Sequence, residues 1–149
     1  MARAITETFG QFQVLVGDGE DPEVFSVICG LTSKGVQRTA STNTTVVPDC
    51  ANEDLPGYEE ADVASIAVSI SGSGVWAQQN HEMLLDWFYS AAPKNVKIRN
   101  VNAATGDTEY ENGPAILTTL SQTGERGQKV QGEIAILFTQ QPTRVAKPA

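Results

Sequence analysis

The residues able to do chemistry are few, and their spacing limits what they could do. The 149-residue chain has one histidine, His81, and two cysteines, Cys29 and Cys50. A protein zinc site draws its ligands from close-set Cys and His residues, which one histidine and two well-separated cysteines do not supply. Cys29 has no base other than His81 to activate it and is expected to be a small buried hydrophobe. Gly72-Ser73-Gly74 begins like a dinucleotide fingerprint but continues Val75-Trp76-Ala77, so the third glycine is missing. Neither a P-loop nor a G-x-S-x-G elbow occurs. Asp18 and Asp21 suggest calcium ligands, yet GDGEDPE lacks the D-x-D-x-D-G order and the distal Glu, and a tight turn is the stronger reading. Glu59-Glu60 lies in polar sequence, where carboxylates stay solvated. His81 stands beside an apolar helical stripe, a place for capping or packing. The residues imply no cofactor, no metal and no catalytic group.

The elements that would position such residues centre on Val63 to Ala92. Ile66, Val68 and Ile70 alternate with Ala67, Ser69 and Ser71, the period of a strand with one buried face. From His81 the period changes. Leu84, Leu85, Phe88 and Ala92 fall at helical spacing and predict a core stripe, and Pro93 ends the helix. Met83 and Trp87 lie on a flank that a lone domain would leave polar.

Other stretches read as strand and turn. Phe12 to Val16 alternates, and Gly17 to Glu23 is a turn. Val24 to Leu31 is near-continuously apolar and predicts a central strand. Asn95 to Val101, Glu109 to Thr123 and Val130 to Thr139 are further strands, with a bulge or bend expected at Gly113-Pro114 and a hairpin turn at Gly124 to Gly127. Gln141 to Ala149 is a polar tail expected to be mobile. Gln37 to Asp62 is long, polar and acidic, broken by Pro48 and Pro56. Such a segment is either an arm that pairs outside the domain or a loose surface loop. The sum is a mainly β single domain, residues 1–149: a β-sandwich or partial barrel of about seven strands, with one flanking helix and a long polar arm.

Composition narrows the class. Hydrophobic residues make up 40% of the chain, enough for a core in one domain. The first ten residues hold a single Arg3 and no apolar run, unlike a signal peptide. Without an export signal, free thiols are expected and the Asn43-Thr44-Thr45 sequon carries no weight. No stretch approaches the ~20 apolar residues that span a bilayer. The net charge of −8 lies entirely before Val63, with 11 acids and 3 bases through Asp62 and 7 of each afterwards. That balance does not grip phosphates and is expected to be a solubilising surface.

Spare apolar helix surface and a long arm both suggest self-association. The order of motifs also resembles a known family. GQFQVLVGDGEDPEVFSVICGLTS, a polar arm, SIAVSISGSGVW, one helix and an end hairpin are similar to the major tail tube protein of long-tailed, siphophage-type bacteriophages, over Phe12 to Thr139. The strand–G-D-G–P-E-x-F–strand opening lies at Val16 to Phe25, and the S-I-S-G-S-G-V run at Ser69 to Val75. The resemblance implies a structural virion protein, assembled in the host cytoplasm, whose hexameric rings join their sheets into a barrel and stack into a tail tube for DNA.

Under that resemblance the partners are other copies of the chain, tape-measure and tail-tip or terminator proteins, and double-stranded DNA passing without specific binding; no membrane is involved. Inter-ring contacts are expected from the arm, at Thr42, Asn43, Thr44, Thr45, Val46, Val47, Leu55 and Tyr58, mobile in the free subunit and ordered on stacking. Met83 and Trp87 are expected at a subunit interface. The apolar alternates Ile66, Val68, Ile70, Ile134, Ile136 and Phe138 should face the core. Ser69, Ser71, Gln131 and Glu133, with Ser65 and Ala67, should line the lumen or else face bulk solvent. Two other functions stay open: a secretion-system tube protein of the same ring fold, and a monomeric β-sandwich binding module offering Tyr58 and Tyr110.

Overall fold

A computed structural model of the chain describes residues 2–149; Met1, at the head of the segment read for a signal peptide, lies outside them. Eight strands form one antiparallel sheet. They are β1 (Phe12–Gly17), β2 (Phe25–Val27), β3 (Leu31–Val47), β4 (Tyr58–Val75), β5 (Lys94–Asn100), β6 (Thr108–Thr123), β7 (Gln131–Phe138) and β8 (Thr143–Ala146). The spatial order is β2-β1-β5-β6-β7-β4-β3, and β8 pairs with β6. The single α-helix, α1 (His81–Ser90), follows β4 through a short 3-10 turn.

β6 belongs to both halves of the fold. Its first half pairs with β5 and β8, and its second half with β7. A register shift between Leu117 and Thr119 marks an extra residue in the ladder. The sheet folds over, so that Val36 of β3 and Ile98 of β5 line one cleft, and Arg38 meets Glu111 of β6 at 2.7 Å. Lys34 of β3 sits 4.3 Å from the centroid of the Phe9 ring, just before β1. Burial there lowers the pKa of the Lys34 ammonium from its ordinary value. Between the folded halves lies the core, with Val14, Val16, Val68, Ile70, Val96, Ile98, Ala115, Ile134, Ile136 and Phe138 buried beside Leu84 and Trp87 of α1. The sheet does not close: β2 and β3 remain its edges.

Five sequence expectations are corrected. Val24 to Leu31 is not a central strand. β2 is a three-residue edge strand, and the chain turns at Gly30 with φ 93°, where a Cβ would strike the Val75 carbonyl. Cys29, beside that turn, is exposed. The expected tail contributes β8, and the crossing chain is admitted because Gly113 leaves room for Pro142. Gly113 and Pro114 pair with β5 in unbroken register, so of the expected bulge or bend there the bulge is absent; it lies at Leu117/Thr119.

The last correction concerns α1, whose buried stripe is rotated from the expected one. Leu84 and Trp87 are buried, while Phe88 is 38% and Tyr89 79% exposed. Trp87 is therefore a core residue and not a subunit contact; at 1% exposure it has no surface to offer. The helix ends at Ser90, and Ala91 takes a left-handed C-terminal conformation with φ 55° before Pro93.

Candidate assembly surfaces

The face of β3, β4, β7 and β6 turned away from the core carries one kind of side chain. Period-two alternation with Val68, Ile70, Ile134 and Ile136 inside puts Ser69, Ser71 and Ser73 of β4 outside, with Gln131, Glu133 and Ala135 of β7. The registers align them in rows. Ser69 lies between Gln37 and Leu137, Ser71 between Gly35 and Ala135, and Ser73 between Ser33 and Glu133. Gln131 pairs with Val75 and Thr123, and Glu133 also with Ser121. The four sequence-predicted lumen residues thus share one contiguous face, rich in serine. Glu133 is the single charge in these rows.

The predicted arm is a β-hairpin, which corrects the reading of Gln37 to Asp62 as a long loop. Thr42, Asn43, Thr44, Thr45, Val46 and Val47 pair residue by residue with Val63, Asp62, Ala61, Glu60, Glu59 and Tyr58. A second irregularity, at Ser41/Thr42, leaves Ala64 as the extra residue. It keeps the apolar face in phase, because paired residues share a face: Val63 and Val46 continue the side that Val68 and Ile66 begin. Beyond the domain body this face is uncovered. Ile66, expected in the core, is 62% exposed, as is Val46, with Val63 at 60%. The tip is folded on itself. The Asp49 carboxylate accepts the Ala51 and Asn52 amides at 2.8 and 3.2 Å, and the Leu55 amide donates to the Asn52 carbonyl. Leu55 and Tyr58 project from it, Tyr58 at 77% exposure.

Below the hairpin, α1 is fastened at its head. Trp76 Nε1 donates to His81 Nδ1 at 3.2 Å, and the buried Asn80 amide donates to the Cys29 carbonyl at 2.7 Å. Met83 packs against the core from its flank. The 17 residues of β3 have a partner on one side only, so a full-length strand edge is open. Among the described residues no group of three or more His, Cys, Asp or Glu is arranged to hold a metal ion.

The model of the phage tail tube protein family matches residues 8–144. The chain belongs to that family. As a tail tube protein it is a structural component of the virion. No curated protein sequence matches it. Its fold is that of several solved assemblies. The native gene transfer agent (GTA) virion contains a chain with a TM-score of 0.76 at 16% identity, the match covering 95% of this chain and all of that one. The tail of an empty GTA particle, refined with C6 symmetry, gives 0.77 at 17% identity, again over 95% and 100%. The SPP1 tail tube gives 0.65 at 8% identity, over 97% of this chain and 81% of the other. For a tail tube protein, the serine-rich rows, the open β3 edge and the projecting hairpin are three surfaces that a lone subunit leaves unused. Of these, the edge and the hairpin pairing are not legible in the sequence; the strand propensity of Asn43 to Val47 is their one signal.

Proposed function

We propose that six copies of the chain close into a ring, that rings stack into the tail tube, and that the serine-rich face of β3, β4 and β7 lines its channel. The observation that carries this reading is the combination of that face with the open β3 edge on the same strands. Joining edges around a ring removes them and turns the outward face of each sheet into one wall. Six copies is the count suggested by the C6 symmetry of the GTA tail, a relative in fold. Small hydroxyl side chains give double-stranded DNA nothing to hold, and a band of Glu133 repels phosphate over about 8–10 Å at physiological salt. The hairpin reaches the next ring, and tape-measure and terminator proteins meet the assembled tube. The role is structural and not catalytic.

Electron microscopy of the concentrated, purified chain tests this directly. Six-fold rings stacked into hollow tubes are expected. A monodisperse monomer at high concentration would overturn the reading in favour of a solitary binding module, and unstacked stable hexamers would favour a secretion-type ring.

A further inference from the structure

The folded sheet gapes at the base of the hairpin. There a cleft of about 400 Å³ is lined by Arg38, Ile66 and Val68 from one half and by Glu111, Pro142 and Arg144 from the other. Its chemistry is two-sided. Ile66 supplies exposed apolar surface. Arg38 is paired with Glu111, whereas Arg144 donates through Nε to the Thr108 hydroxyl at 3.1 Å and has no ion pair among the described residues. A matching occupant is apolar and acidic.

One segment of this chain has that character and is unused. The hairpin presents Val46, Leu55 and Tyr58 exposed. Between Arg38 and Lys94 there is no lysine or arginine, while Asp49, Glu53, Asp54, Glu59, Glu60 and Asp62 fall in the hairpin. Its own tip cannot fold back into the cleft. The nine residues from Tyr58 to Ile66 run in extended strand, and their eight steps span about 26 Å at ~3.3 Å per residue. Resting on the tube reading above, we propose that the cleft of one copy receives the acidic hairpin tip of a second copy, with Arg144 meeting its carboxylates. Tip and cleft lie at opposite ends of one hairpin, so the contact is head-to-tail and repeats from ring to ring without closing on itself.

Cys50, exposed in the tip, makes the contact testable. In a Cys29→Ser background, Gln141→Cys or Thr108→Cys puts a thiol at the cleft, and assembled tubes are oxidised. A ladder of disulfide-linked multimers is expected on a non-reducing gel, lost with Cys50→Ser, because a bridge requires Cα atoms within about 7 Å. Intact tubes with no ladder from either cysteine overturn this docking and leave the tube reading standing; absence of tubes from the unmodified chain overturns both. Arg144→Glu should also raise the critical concentration for assembly at low salt about tenfold, with the subunit's melting unchanged. An unchanged critical concentration overturns the charge pairing.

Discussion

Replacing Trp87 by alanine separates a core role from an interface role. The side chain is 1% exposed, and its Nε1 is buried without a hydrogen-bond partner. Burying an indole removes roughly 200 Å² from water. At about 25 cal/mol per Å² that is worth about 5 kcal/mol, an upper value because the unfolded chain already shields part of it. Loss of the unpaired N–H returns about 1–2 kcal/mol, and the cavity left in the core adds a cost. A net loss of about 3–5 kcal/mol follows, in the usual range for Trp→Ala. For a domain of this size it lowers the melting temperature by about 8–15 °C. Trp87→Phe keeps most of the volume and removes the orphaned donor, and should cost about 1 kcal/mol. Tyr89→Ala, at 79% exposure, should stay within about 0.5 kcal/mol. The assay is thermal unfolding of dilute, unassembled subunit followed by far-ultraviolet circular dichroism. If Trp87→Ala melts within about 2 °C of the parent and yet forms no tubes, Trp87 serves the interface and the packing argument fails.

Two further outcomes follow from single carboxylates. Amides of Glu20 and Val24 donate to Asp18 Oδ1 at 3.0 and 3.1 Å and, with the Lys94 charge adding to them, hold its carboxyl below the ordinary 3.8. A depressed folded-state pKa stabilises above the ordinary value and is lost as pH falls through the folded one, so Asp18→Asn should lower stability near neutrality and flatten the acid limb of a melting-temperature profile; identical acid limbs would refute it. Glu133→Lys converts a repulsive band into an attractive one and should slow or stall DNA ejection from otherwise intact tails, whereas normal ejection from normally assembled tails would put Glu133 away from the DNA path.

What was legible in the sequence depended on where each residue's partner lay. β1, β5 and β7 showed themselves through alternation alone, since their buried faces are intact from end to end. The buried stripe on α1 lies one helical step from the predicted one. Leu84, Leu85 and Phe88 are as regular a pattern as Leu84 and Trp87, and only the position of the facing sheet selects the latter. The apolar neighbours of Cys29 predict burial; the turn at Gly30, fixed by contact with the distant Val75, carries it outward. β8 has no signal in the sequence because Thr143 to Ala146 is too short a run to show a pattern until β6 lies beside it.

The hairpin carries this reasoning furthest. Its two strands pair across a ten-residue tip, 48–57, with threonines on one side and acids on the other, so neither strand alternates in hydrophobicity as a half-buried strand does. A strand that buries neither face in its own domain loses the signal by which strands are recognised, yet its backbone still satisfies the ladder through Val47 and Tyr58. The extra residue at Ala64 shows that the hairpin is not loose chain. A uniform ladder would turn Val63 to the serine side and bring Asp62 and Glu60 round to the side of Ile66. The bulge instead holds Val63 and Val46 in line with Ile66 and sends Asp62 and Glu60 to the serine side, where they continue the sign of Glu133. One inserted residue therefore keeps Val63 and Val46 with Ile66 on one face, for contact with a neighbouring copy, and places Asp62 and Glu60 on the face proposed for the channel, up to the Val47–Tyr58 pair at the end of the ladder.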